Sequence, residues 1–193
     1  MNKQEVEIIQ FLLEHKNEDL NIHQIALFLK KDYKTVHTII SRLVKTSLVD
    51  VVTFGKARKI NLRNMIHPLI FEAEYNRRVE LLKNKNIAVL VDSFKAMPSQ
   101  LYVLLLFGSY AKKIATKNSD IDLLFIVPDL AEEKMEREIY RVADTLPLKL
   151  HINVFKETDF IAMYNSRKIT VGSEAIKNNV ILHSIESYYE MMQ

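Results

Sequence analysis

Seven consecutive apolar residues, Leu101 to Phe107, run straight into Gly108-Ser109, and Asp120-Ile121-Asp122 then opens a second apolar stretch that reaches Val127. No other part of the chain narrows the fold as much. An unbroken apolar run this short is far below the about 20 residues of a membrane span, and is expected of a strand covered on both faces. The second stretch predicts a neighbouring strand, with a short helical piece, Tyr110 to Ile114, between the two. Carboxylates at i and i+2 on a strand share a face. Side by side they repel unless a divalent cation lies between them. Gly108 lets the backbone approach a ligand closely. The Ser109 hydroxyl and the free N–H groups of the next helix suit phosphate oxygens. Together these features describe a site for Mg2+ and a triphosphate, where positioning and charge neutralisation carry the chemistry.

Composition removes competing classes. The chain has 193 residues, is 48% hydrophobic and carries a net charge of +3. It is too apolar and too weakly charged for disorder, and long enough for one large domain or two small ones. There is no Cys, which excludes disulfides, a Cys nucleophile and thiolate metal sites. The start, Met1 to Lys16, carries Glu5, Glu7 and Glu14 among its apolar residues, unlike a secretory leader. The expected location is the cytoplasm, with no membrane association.

The basic charge is local. Residues 30–63 hold Lys30, Lys31, Lys34, Arg42, Lys45, Lys56, Arg58, Lys59 and Arg63 against only Asp32 and Asp50, a balance of +7. A polyanion partner or a solvated Lys-rich surface accounts for such a segment. Within residues 1–64 the periodicity predicts three helices and a hairpin. Helix one spans 3–15. Asn21 can cap the second helix, with Ile22, Ile25, Ala26 and Leu29 inward, and Asp32 the third, with Val36, Ile39, Ile40, Leu43 and Val44 inward. Residues 48–54 and 58–62 read as strands around Gly55.

This order resembles a winged helix-turn-helix domain. The resemblance implies that Lys34, Thr35, His37 and Thr38 face base edges of double-stranded DNA in a major groove. It implies that Arg42 and the wing residues Lys56, Arg58 and Lys59 hold phosphates. The same fold also serves protein contact or dimerisation, and a homodimer is one expectation.

Residues 65–86 read as a helical connector starting at His67-Pro68, with Ile66, Leu69, Ile70, Ala73, Val79 and Leu82 at helical spacing. A further helix covers 87–97. The third segment is 87–193.

There, GSYAKKIATKNSDIDLLFIV resembles the Gly-Ser, ten residues, Asp-x-Asp signature of the DNA polymerase β-like nucleotidyltransferases, most of all the minimal stand-alone members. The expected fold class is α+β in two domains: the winged helix, then a mixed sheet flanked by helices, with residues 170–189 resembling the family's helical tail. The resemblance implies that Asp120 and Asp122 bind Mg2+ or Mn2+ and that Gly108 and Ser109 hold a nucleoside triphosphate. It implies transfer of a nucleoside monophosphate to a hydroxyl, with release of pyrophosphate. Lys112 or Lys113 then lies near phosphates or is surface charge. A small helical toxin–antitoxin partner is a further implication.

Two residues depart from the pattern. Lys113 stands where the family usually has Gly. The third carboxylate, on a following strand, falls in the segment Leu148 to Phe155, where Asn153 takes its position. Asn coordinates cations weakly and is not a base. His151 shares that strand face and can accept a proton. Glu157 and Asp159 come after the strand, where capping the next helix is the plainer role. An active enzyme is therefore one expectation, and a DNA-binding regulator whose second domain binds nucleotide with impaired catalysis is the other. Tyr188-Tyr189 and Met191-Met192 either cover a core or form a dimer contact.

Overall fold

The computed structural model describes residues 3–16, 18–54, 57–165 and 171–193. The chain forms two compact units, Met1–Ala73 and Glu74–Gln193.

The first unit holds α1 (Lys3–Glu14), α2 (Ile22–Phe28), α3 (Tyr33–Lys45), β1 (Val49–Phe54) and β2 (Ala57–Leu62). α2 and α3 begin where side chains satisfy the free N–H groups of a first turn. Asn21 and Gln24 form a reciprocal capping box at α2. The Asp32 carboxylate accepts the Thr35 N–H at α3. Lys30, at φ +52, turns the chain between these two helices. β1 and β2 pair antiparallel from Val49↔Leu62 to Phe54↔Ala57. Ile8, Ile9, Ile25, Val36, Ile39, Ile40, Leu48 and Ile60 make the core, each at most 3% exposed. The Ile60 N–H donates to the Leu20 carbonyl at 2.8 Å, which ties the hairpin to the segment before α2. Val44, expected inward, is 38% exposed. It lies one residue past buried Leu43, about 100° further around the helix. Lys56 and Gly55 lie outside the described residues.

α4 (Pro68–Leu81) crosses the boundary between the units, and α5 (Lys85–Lys95) follows with Asn84 as its cap. Ile66 precedes α4 and is 47% exposed, and Val79 is 43% exposed. Neither joins the core that helical spacing suggested.

The second unit adds β3 (Val103–Phe107), α6 (Gly108–Ala111), β4 (Ile121–Val127), α7 (Glu132–Ala143), β5 (Leu150–Lys156), α8 (Glu157–Asn165), α9 (Val171–Lys177), β6 (Val180–His183) and α10 (Ile185–Met191). The strands form one mixed sheet in the order β5-β4-β3-β6. β4 and β5 are parallel, with α7 in the crossover between them, and the other pairs are antiparallel. One face of β3 and β4, with Leu104, Leu106, Leu123 and Phe125, packs with Ile87, Leu90 and Phe94 of α5 and with Met135 and Ile139 of α7. All five β3 residues are buried, which is why this strand reads as a continuous apolar run.

Two expectations change here. α6 begins at Gly108 itself, two residues earlier than the sequence suggested. The C-terminal segment is not all helix, because Val180–His183 pairs with β3 as the sheet's edge strand. Tyr188 and Tyr189 are 3% and 1% exposed, so within this unit they are core. The Tyr189 hydroxyl donates to Glu74 at 2.8 Å, and Arg77 bonds both Glu74 and the Asn179 carbonyl. This buried network fixes the second half of α4 to its own unit.

Candidate functional site

The expected site residues gather where β3 ends and β4 begins. Phe107 and Asp122 are register partners across the antiparallel pair. The chain therefore turns into Gly108 directly beside the Asp122 carboxylate. Gly108 has φ +66, and a Cβ built on it would lie 2.0 Å from Asp122 Oδ2. Only glycine fits both the backbone conformation and the space. Ser109 is the second residue of α6 and is partly exposed, and no side chain caps this helix. Asp120 is exposed and stands one residue before β4.

The neighbouring strand supplies the next group. In the parallel β4–β5 register, Asp122 is paired with His151 and Leu124 with Asn153. His151 Nδ1 lies 3.1 Å from Asp122 Oδ1. His151, not Asn153, is thus the immediate β5 neighbour of Asp122. Asn153 stands one pair further along, and its side-chain amide nitrogen is buried without a hydrogen-bond partner. Glu157 and Asp159 lie in the first turn of α8, beyond the other end of β5. Five residues of strand, about 16 Å, separate that end from the level of Asp122. Neither supplies a carboxylate to the site.

The two lysines after the glycine turn differ. Lys112 Nζ is 2.6 Å from Glu174 Oε1 of α9, so its charge is already partnered in this structure. The sequence reading did not single out Glu174, and the pair spans 62 positions, beyond any local spacing signal. Lys113 has φ +58, the left-handed conformation that favours glycine. The backbone keeps the shape that a glycine would adopt there.

No three His, Asp or Glu side chains among the described residues gather into a metal-binding group. Mg2+ in phosphate chemistry is held by one or two carboxylates, waters and the substrate's own phosphates, not by an all-protein cage. The pair Asp120 and Asp122, with Asp122 directly against the Gly108 turn, fits that kind of shared coordination. A cavity of about 510 Å³ opens at the opposite end of the sheet, near Leu101, Val127 and Glu157, and includes neither aspartate.

The expected nucleic-acid residues lie in the first unit. Lys34, His37, Thr38, Arg42 and Arg58 are exposed. The Thr38 hydroxyl donates to the Lys34 carbonyl at 2.8 Å, and Thr35 is engaged with the Asp32 cap. Arg42 pairs with Glu5 at 3.3 Å and Lys59 with Asp19 at 2.6 Å. Tyr33, which the sequence reading passed over, exposes its ring between His23 and His37, with centroids 6.5 and 6.0 Å away.

A mixed four-stranded sheet flanked by helices is consistent with a nucleotidyltransferase fold. The chain belongs to the polymerase beta nucleotidyltransferase family, whose model, described as "Polymerase beta, Nucleotidyltransferase", matches residues 90–188, just over half of its length. Among solved structures, a Sulfolobus solfataricus protein assigned as a nucleotidyltransferase is similar at 19% identity, with a TM-score of 0.33, over 56% of this chain and 84% of that one. At that level the likeness adds no argument. Comparison with curated proteins finds no match. Among the described residues no helix is long and apolar enough to cross a membrane.

Proposed function

We propose that the second unit transfers a nucleoside monophosphate from a nucleoside triphosphate to a hydroxyl acceptor. The observation that carries this reading is the contact of Gly108 with Asp122, which brings a side-chain-free turn and a carboxylate to one point. In this reading Gly108 lets the backbone approach the triphosphate closely and the Ser109 hydroxyl donates to a phosphate oxygen. Asp120 and Asp122 hold Mg2+ or Mn2+, which neutralises charge on the reacting phosphates. The two aspartates also fix where the phosphates lie, the main contribution a protein makes to this chemistry. His151 stands in for the third carboxylate.

The first unit acts, in the same reading, as a winged helix that brings the transferase to double-stranded DNA. The exposed Lys34, His37, Thr38 and Arg58 support it, with Thr35 at the start of α3 and Arg42 and Lys59 on the same unit; Lys56 belongs to the same proposal and lies outside the described residues. A small helical partner of the toxin–antitoxin kind and a homodimer are compatible with the family likeness, and no structural observation favours either.

A second reading is favoured by one observation. Asn153 has a buried amide nitrogen without a hydrogen-bond partner and no proton-accepting group. It points to a DNA-bound regulator that holds nucleotide and turns it over poorly. Label transfer from an α-phosphate-labelled triphosphate, with nucleic-acid and cell-extract acceptors, separates the two. Transfer by wild type that is lost in Asp122→Ala supports the enzyme. Silence from wild type with transfer by Asn153→Asp supports the regulator. Nucleotide binding that Asp122→Ala leaves unchanged would sink both.

A further inference from the structure

We propose that His151 is a ligand of the cation that arrives with the nucleotide, and that the site therefore takes Mn2+ in preference to Mg2+. The inference rests on the nucleotidyl-transfer reading and deepens it. It starts from the register, which makes Asp122 and His151 partners on adjacent parallel strands. Their near atoms, Oδ1 and Nδ1, are 3.1 Å apart. Two donors held by one ion at about 2.1 Å each, on adjacent corners of its shell, stand about 3 Å apart. The observed spacing therefore suits a shared ion with little side-chain movement.

The two oxygens of Asp122 have different surroundings. Oδ2 faces the α-carbon of Gly108, and Oδ1 faces the imidazole. Solvent reaches this pair, since the His151 side chain is 62% exposed and that of Asp122 24%. No carboxylate on β5 competes for the position, because Asn153 is paired with Leu124 and the acidic residues of α8 lie past the strand's far end.

Exchanging a carboxylate for an imidazole has two effects on a cation. It removes one negative charge from the donor set, which weakens any purely electrostatic ion. It adds a softer nitrogen donor, for which Mg2+ has little affinity and a transition ion has more. Mn2+ accepts carboxylate, phosphate and imidazole together. With no three-donor cluster among the described residues, the ion is expected to bind strongly only in the presence of nucleotide.

The test uses the full chain with 15N-labelled histidine, Mn2+ and a nucleoside triphosphate bridged by a methylene between its α- and β-phosphorus atoms. Pulsed electron paramagnetic resonance reads coupling of the ion to the labelled nitrogen, distinct from nitrogens of the base. Expected is a histidine coupling in wild type that disappears in His151→Ala, with Mn2+ affinity about tenfold weaker and Mg2+ affinity changed less than about twofold. His151→Asp should reverse the preference towards Mg2+. If nucleotide and Mn2+ bind in an Asp122-dependent way but no histidine coupling is seen, this inference falls and the transferase reading stands. If His151→Ala weakens both ions equally, it falls as well, and His151 then positions the Asp122 carboxylate without selecting the ion. If wild type and Asp122→Ala bind neither ion with nucleotide, both readings fall.

Discussion

The α-carbon of Gly108 and the carboxylate of Asp122 leave no room for a side chain between them, since a Cβ at Gly108 would stand 2.0 Å from Asp122 Oδ2. A residue with a side chain at φ +66 also carries a backbone cost of about 1–2 kcal/mol. With the clash added, Gly108→Ala is expected to destabilise the second unit by about 2–4 kcal/mol and to remove nucleotide binding. Asp122→Ala opens the space. The double variant should recover the steric part and keep the backbone part. Urea unfolding of all four proteins tests this, and simple additivity would refute the contact.

Lys113 tests the cost of the left-handed backbone against what its side chain contributes. Its left-handed φ of +58 follows directly on the α6 turn. Lys113→Gly relieves about 1–2 kcal/mol of strain and gives back about 0.5–1 kcal/mol through a more flexible unfolded chain. A small net gain in stability is expected, and thermal unfolding would show it. A loss would mean that the lysine side chain contributes more than its backbone costs.

The buried ion pair of α4 makes a larger prediction. Glu74 is fully buried, Arg77 is 6% exposed, and Tyr189 donates to the same carboxylate. Glu74→Ala leaves the guanidinium buried without its counter-charge, which costs about 3–5 kcal/mol. Tyr189→Phe removes one hydrogen bond and should cost about 1–3 kcal/mol. Denaturant midpoints for the two variants should follow that order. The reverse order would show that the network's charge is compensated elsewhere.

His183 gives the second unit a pH dependence. It stacks on Tyr102 with ring centroids 4.5 Å apart, and its Nε2–H donates to the Gln100 carbonyl at 3.2 Å. Burial lowers its pKa; the Gln100 carbonyl opposes the shift, and the charges of Lys95 and Arg78 add to it. The unfolded chain therefore takes up this proton more readily than the folded one. Stability from His183 is full above the ordinary value of about 6.5. It declines as pH falls from there to the lowered folded value, and is flat below. His183→Phe keeps the stack and should flatten that slope in unfolding measured from pH 8 to pH 5. An unchanged slope would assign it to other histidines.

Under the DNA-tether proposal, Arg58 and Lys59 should behave unequally. Lys59 is paired with Asp19 at 2.6 Å, whereas the Arg58 side chain is exposed on the same strand. Arg58→Ala is expected to reduce the salt dependence of duplex binding by about one phosphate contact, and Lys59→Ala by less. Binding that responds to neither variant, or is insensitive to salt, would count against β2 as a phosphate-binding strand.

Much of this protein was legible in its residues taken in order. The apolar run ending at Gly108, the spacing to Asp120 and Asp122, and the caps Asn21 and Asp32 are local patterns. Local patterns determine strands, turns and helix starts because each depends on a few neighbouring dihedrals and hydrogen bonds. The neighbour of Asp122 was a different matter. On β5 alone, His151 and Asn153 share a face, and only the β4–β5 hydrogen-bond register puts His151 beside the carboxylate. The pairing of Lys112 with Glu174 and the recruitment of Val180–His183 into the sheet also join segments far apart in sequence. Exposure followed the same rule, since Val44 and Val79 fit a helical stripe and yet stay outside the core. Periodicity tells which residues share a face of one element, but the packing of elements against each other decides which faces are covered and which side chains meet.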